Sequence, residues 1–343
     1  MAFFIFYFCG MHPRFYSFII PVYNRPEEIQ ELLHSFTSME PVSVFEILII
    51  EDGSNIPCKA IIENFNDKLP LRYFFKENSG PGDSRNFGMK QAKGDYFIIF
   101  DSDCLLPSHY LKTVDAFLTE TTVDCFGGAD AAHQSFTNVQ KAINYVMTSF
   151  WTTGGLRGSD STKFEPRSFN MGISKQAFER TQGFATIHPG EDPDLSQRIR
   201  KAGFKTAFIP NAYVYHKRRI SFEKFFTQVK KFGLVRPILN SWHPNTKRIT
   251  FWFPSAFVLF TLLSLAFGIF VNPLFLVPIG LYLLLLFLDA TFQNRSVSVG
   301  VLVLPAVFVQ FFGYGLAFLT STYYISLLKR KPKQQFPQLF FEE

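Results

Sequence analysis

From Thr250 to Val271 the chain carries no charged residue. This constrains the fold more than any other feature, because a bilayer span needs roughly 20 such residues and lipid admits backbone only as helix or closed barrel. The segment reads as a transmembrane helix. A second apolar run, 273–289, contains Pro278 and Gly280, and Asn272-Pro273 would make the turn of a hairpin. A third, 296–328, is longer than one simple crossing needs and holds Pro305, Gln310, Gly313 and Gly315, a pattern expected of a kinked or re-entrant helix. Lys217-Arg218-Arg219, Lys230-Lys231 and Lys247-Arg248 precede the first run, while Lys329-Arg330-Lys331 and Lys333 follow the last. The positive-inside rule places both groups on the cytoplasmic side, which requires an even number of crossings. The expectation is a hairpin plus a re-entrant or interface-lying third segment, anchored in a bacterial inner membrane. The net charge of +6 suits contact with anionic lipid.

A chain of 343 residues at 47% apolar content has room for a full globular domain ahead of this region. The expected partition is an extension over 1–14, an α/β domain over 15–249, the membrane region over 250–328 and a basic tail over 329–343. Met1 to Gly10 is apolar but too short to span and lacks the basic start and cleavage site of a signal peptide, leaving Met11 as an alternative start. Cys9, Cys58, Cys104 and Cys125 show no Cys-x-x-Cys spacing, as expected of reduced thiols in a cytoplasmic domain.

Within 15–249 strand and helix patterns alternate, the signature of an α/β sheet with mainly parallel strands. Phe15 to Pro21 reads as a strand and Glu27 to Phe36 as a helix, with apolar Ile29, Leu32, Leu33 and Phe36 on one face. Phe45 to Ile50 and Leu71 to Phe75 read as further strands, followed by a helix through Lys90. The apolar run Phe97-Ile98-Ile99-Phe100 then stops at Asp101-Ser102-Asp103. In an open parallel sheet ligands bind at the carboxyl ends of the strands, so this carboxylate pair is placed to hold a divalent cation against a diphosphate. Glu51-Asp52-Gly53-Ser54 and the Gly-rich Ser79–Asn86 segment fall at neighbouring strand ends. Each alone has the chemistry of a plain turn.

Taken in order, Ile19–Asn24, Glu51–Ser54, Ser79–Asn86, Asp101–Asp103 and Gly190-Glu191-Asp192 resemble the motifs of glycosyltransferase family 2 over about Phe15 to Ser221. The resemblance implies a GT-A fold, a nucleotide-sugar donor, Mg²⁺ or Mn²⁺, and inversion at the anomeric carbon. By motif position, Pro21, Tyr23 and Asn24 would lie near the base. Asp52 would accept a hydrogen bond from the nucleoside, and Arg85 and Asn86 would lie near the donor sugar or phosphates. Asp103 would bind metal, Asp101 would contact the ribose or the metal shell, and His216 would add a metal or diphosphate ligand, against the structural role usual for a lone histidine.

Inverting transfer needs a base opposite the leaving diphosphate. Asp192 is the candidate, because the acidic run Gly190–Leu195 would begin a helix, where the dipole favours a carboxylate. Glu191 would orient the acceptor or the base, although sequence cannot rank neighbouring carboxylates that titrate jointly. On the acceptor side, Ser168–Gly172 resembles a family segment, so Asn170 and Gly172 would line the cleft. Trp151 would stack on a sugar or else lie in the core. Gly154 to Arg167 reads as a mobile loop. Lys217, Arg218 and Arg219 would meet diphosphate or lipid headgroups.

Processive synthases of the family carry Gln-x-x-Arg-Trp, where this chain has Gln228-Val229-Lys230-Lys231-Phe232. The expectation is therefore a non-processive enzyme adding one sugar to a membrane-linked glycan or lipid-linked oligosaccharide in cell-surface polysaccharide or glycoconjugate synthesis, with no nucleic-acid partner. The alternatives are a polyprenyl-phosphate sugar synthase and a catalytically inactive membrane scaffold retaining the fold.

Overall fold

A computed structural model of the protein describes residues 14–131, 136–154, 164–216 and 221–341, with the side chain of His216 outside that set. The chain begins with β1 (Tyr16–Val22), α1 (Pro26–Thr37), β2 (Phe45–Asp52), α2 (Lys59–Glu63), β3 (Leu71–Lys76), α3 (Pro81–Gln91), β4 (Tyr96–Phe100), β5 (Cys104–Leu105) and α4 (Tyr110–Glu120). There follow β6 (Cys125–Ala131), α5 (Asn138–Thr148), α6 (Phe150–Thr153), β7 (Asn170–Ser174), α7 (Lys175–Thr181), α8 (Glu191–Lys201), β8 (Thr206–His216) and α9 (Phe222–Trp242).

The strands form one mixed sheet in the order β3-β2-β1-β4-β7-β6-β8-β5. Pairings β1–β2, β2–β3 and β1–β4 are parallel, whereas β7 runs antiparallel to both β4 and β6. Every residue of β1 and β4 is buried, as a sheet covered on both faces demands. Alternation sorts their side chains. Phe18, Ile20, Ile98 and Phe100 pack under α1 and α4, while Ile19, Phe97 and Ile99 pack against α3, α7 and α8. After β3 the chain returns across β1 to form β4, so the strand order reverses between β1 and β4 and opens a crevice at their carboxyl ends. Cys58, Cys104 and Cys125 are buried free thiols, each pushed up in pKa chiefly by that burial.

Three C-terminal helices are each long and apolar enough to cross a membrane: Ile249–Phe270, Pro273–Asn294 and Val297–Leu327. Their regular α-helical parts are α10 (Phe253–Phe270), α11 (Val277–Asn294) and α12 (Val297–Ser321). Asn272 caps the turn between the first two by accepting the Leu274 N–H at 2.9 Å. The re-entrant break expected in the third run is absent. Helix α12 runs through Pro305 without interruption and continues as a π turn over Thr322–Leu327. A proline costs one helical hydrogen bond, and here the helix continues on both sides of it, packed against its neighbours.

Helix α12 is also the most enclosed of the three, with 44% of its most apolar window buried against 28% and 17% for the others. Val299, Val303 and Val307 pack with Ala142, Ile143 and Val146 of α5. Further along, a Cβ on Gly233 of α9 would meet the Tyr314 carbonyl at 2.4 Å, so only glycine lets the two helices approach this closely. The Ser321 hydroxyl donates to the Leu234 carbonyl at 2.6 Å. Beyond α12 the tail folds back on the α/β domain. Phe340 bridges Ile187, His188 N–H donates to the Leu339 carbonyl at 2.7 Å, and Phe341 N–H donates to Thr186 at 3.0 Å.

Candidate active site

The crevice between β1 and β4 is the mouth of a cavity of about 1260 Å³. Pro21, Tyr23, Asp52, Arg85, Asp101, Asp103, Glu191 and Asp192 all line it, so residues far apart in the chain are gathered on one wall system. Tyr23, half exposed, stands at the rim.

Asp52 closes β2 and organises the loop that follows β3. Its Oδ1 accepts from Lys76 Nζ at 2.7 Å and Ser79 N–H at 3.0 Å, and its Oδ2 accepts from Gly80 N–H at 3.0 Å. Gly80, at φ 91°, begins α3 with the Phe341 ring lying over it. Asn24 faces away from the cavity. Its Oδ1 accepts from Asn55 and Ile56 N–H at 2.8 and 3.1 Å, tying the β1 loop to the β2 loop.

The carboxylate pair after β4 is matched by arginines. Arg85, on α3 and nearly inaccessible, reaches Asp101 Oδ1 at 2.7 Å and Glu191 Oε1 at 3.2 Å, while Arg25 reaches Asp103 Oδ2 at 3.1 Å. Among the described residues no group of three or more His, Cys, Asp or Glu side chains is arranged to cage a metal. Asp101 and Asp103 nonetheless offer an all-oxygen donor set in a cavity large enough for a phosphorylated ligand. That is the chemistry by which Mg²⁺ or Mn²⁺ is held through one or two carboxylates plus phosphate oxygens. The backbone of His216 pairs with Cys104 beside this pair, and its side chain lies outside the described residues, as do Lys217, Arg218 and Arg219.

The first turn of α8 holds three carboxylates with three different surroundings. Asp194 is buried between Arg198 and His243, each at 2.8 Å, and fixes the helix. Glu191 is buried too, but His188 at 2.9 Å and Arg85 overcome the cost of burial and hold its carboxyl well below the usual range. Asp192 goes the other way: burial and the adjacent Glu191 charge push it up, with Arg85 and Arg167 opposing. Its Oδ1 is buried without a hydrogen-bond partner. The pair therefore presents one fixed anion and one carboxylate of raised basicity.

Several expected site residues are elsewhere. Asn86 is not among the residues that line the cavity: its Nδ2 donates to the Phe184 carbonyl and its Oδ1 accepts the Phe184 N–H, both at 2.8 Å, pinning the segment before α8. Asn170 is fully buried, accepting from Tyr110 Oη at 2.6 Å and donating to the carbonyls of Ala212 and Ala129 at 2.8 and 3.2 Å. It is a cross-sheet brace and not a cleft residue. Gly172 lies beneath the Phe126 ring, where a Cβ would stand 2.0 Å from it. Trp151 is half exposed and lies with Leu281, Leu284 and Leu288 of α11, neither in the core nor in the main cavity. Most of the 154–167 loop falls outside the described residues, although Glu165 and Arg167 line the cavity. Sequence reasoning missed Arg25, His188 and Phe341. Arg25 follows a recognised motif directly and His188 sits three residues before a candidate carboxylate, but nothing local marks Phe341.

This sheet order, with a carboxylate pair and an arginine at its switch point, defines a GT-A glycosyltransferase fold. Residues 17–181, just under half of the chain, match the model of Glycosyl transferase family 2. Glycosyltransferase AglE of Haloferax volcanii is 27% identical over 221 residues, covering 60% of this chain and 67% of AglE. Poly(ribitol-phosphate) beta-N-acetylglucosaminyltransferase TarS of Staphylococcus aureus is 35% identical over 108 residues, 31% of this chain and 19% of TarS, so the match spans about a fifth of that relative. The solved structure of mannosyltransferase PcManGT from Pyrobaculum calidifontis, in complex with GDP-Man and Mn²⁺, shares the fold at a TM-score of 0.56 and 15% identity, covering 94% of this chain and 89% of PcManGT.

Proposed function

We propose that the protein is an inverting glycosyltransferase that moves one sugar from a nucleoside-diphosphate donor to an acceptor held at the membrane. One observation carries this reading. The cavity that holds Asp52, Arg85, Asp101, Asp103 and Asp192 continues without a break to Phe253 and Pro254 of α10 and Gln310 and Tyr314 of α12. A donor entering at the strand ends and an acceptor rising from the apolar helices would meet beside Asp192.

In this reading Pro21 and Tyr23 flank the nucleoside and Asp52 holds the Ser79-Gly80 backbone in shape beneath it. Arg85 is fixed by two carboxylates and so presents a preset cation to the diphosphate. A divalent cation held by Asp103, with Asp101 in its shell or on the ribose, would supply charge neutralisation for the departing diphosphate. Asp192, raised in basicity, takes the proton of the acceptor hydroxyl as that oxygen bonds to the anomeric carbon and the bond to the diphosphate breaks. Glu191 stays ionised between Arg85 and His188 and acts as a positioning residue for its neighbour. The test is release of nucleoside diphosphate by detergent-purified protein from a panel of nucleotide sugars with Mn²⁺ or Mg²⁺ and lipid extract. Release that falls at least about a hundredfold in Asp103→Ala, with the melting transition kept, supports the reading. Equal release by Asp103→Ala removes it.

A further inference from the structure

The membrane end of the cavity holds an excess of positive charge. Arg167, Lys231, Arg236 and Arg248 all line it, with Glu165 and Glu223 as the carboxylates nearby. Glu165 is engaged at 3.4 Å by Arg167 and at 3.3 Å by Gln197. Neither Arg236 nor Arg248 meets a carboxylate among the described residues. Arg236 instead lies over the Phe251 ring at 4.3 Å, deep between α9 and the start of α10. Burial pulls its guanidinium below the usual range, Arg167 and Arg248 add to that pull, and Glu165 and Tyr314 oppose it. Two further polar atoms face the same space without partners, Thr250 Oγ1 and Gln310 Oε1.

Enclosed charges in proteins are ordinarily paired, since an isolated one is costly to desolvate. An enclosed guanidinium that meets no carboxylate, Arg236, with the partly buried Arg248 lining the same space at the head of the apolar helices, calls for an anion that arrives from the lipid side. We propose that Arg236 and Arg248, assisted by Arg167, bind the phosphate or diphosphate of a phosphorylated lipid acceptor whose hydrocarbon chain lies along α10 and α12. This rests on the reading above that the acceptor is held at the membrane, and it names the chemical class of that acceptor. Arg167 also acts on Asp192 electrostatically, which sets the phosphate site beside the candidate base. A neutral lipid such as diacylglycerol would leave the guanidiniums uncompensated.

Retention of a polyprenyl monophosphate by the full-length protein in nanodiscs, read by native mass spectrometry, tests this. Binding of a nucleoside diphosphate with Mn²⁺ is read separately on the same samples. Arg236→Gln and Arg248→Gln should each weaken lipid retention about tenfold or more while leaving nucleotide binding unchanged. Lys230→Gln, on the exposed side of α9, should change neither. Phosphatidylglycerol and diacylglycerol should fail to displace the probe. Unchanged retention in a folded glutamine variant would overturn the proposal, as would equal competition by phosphatidylglycerol, which would mark a general lipid-surface site. If Arg236→Gln does not fold, Arg248→Gln decides alone. Nucleotide binding that is absent in the parent protein while lipid is retained would count against the glycosyltransferase reading and leave this site standing.

Discussion

Burial acts on both carboxylates that open α8, yet Glu191 is driven to the charged form by Arg85 and His188 while Asp192 is driven toward the neutral one. The direction at Asp192 makes two predictions. A carboxyl raised to about 6 must lose its proton to serve as a base, so transfer should fall as pH drops through that value, and a rate profile flat from pH 5 to 8 would count against the role. The same shift means that ionised Asp192 destabilises the folded state at neutral pH, above the range where the unfolded chain already titrates. Asp192→Asn should therefore abolish transfer while raising stability by about 1–3 kcal/mol, seen as a higher melting temperature at pH 7 that fades as the pH is lowered toward 4. The acidic residues of this site were legible in the sequence because they recur in order at successive strand ends and at a helix start, although each position alone would serve a turn or a helix cap equally well. The asparagines were not: Asn86 and Asn170 look like ligand contacts by position, and only the fold reveals that their amides are spent on backbone groups of Phe184, Ala129 and Ala212.

At the scale of elements, β1, β2, β4 and α1 follow their apolar periodicity closely, because each is decided by its own residues. The insertion of β7 between β4 and β6 is decided by partners distant in sequence, and no local pattern announces it. The same holds for the tail, whose Phe341 ring covers Gly80 and approaches His188 at a centroid distance of 6.0 Å. Phe341→Ala should raise the KM for the nucleotide sugar several-fold with a smaller effect on kcat, because the ring lines the cavity where it covers Gly80 at the start of α3. Helix packing makes an independent prediction. Gly233→Ala would drive a methyl group into the Tyr314 carbonyl, and should cost roughly 1–3 kcal/mol in thermal unfolding by prising α12 from α9.

For the whole molecule, the contacts of the tail bear on the parity of crossings that the charge pattern suggested. Residues 339–341 pair with 186–188, so the chain on either side of the three apolar helices lies on one side of any bilayer. Helices α10 and α11 crossing as a hairpin, with α12 lying against α5 and α9, satisfy this. Tyr145 of α5 donates to Asp289 near the end of α11 at 2.5 Å, which brings the hairpin back to the domain. A cysteine placed at Asn272 should then be labelled by an impermeant reagent only from the face opposite the one that labels a cysteine at Lys333, and labelling of both from one face would exclude the arrangement. The returning tail also imposes an order on biosynthesis. The segment before Glu191 receives its strand partner from residues that leave the ribosome after all three apolar helices, so the wall of the cavity is completed only after those helices have been made, and under the proposed function only after they have met the insertion machinery. On that proposal, a newly made chain would stay idle until its apolar helices are in place.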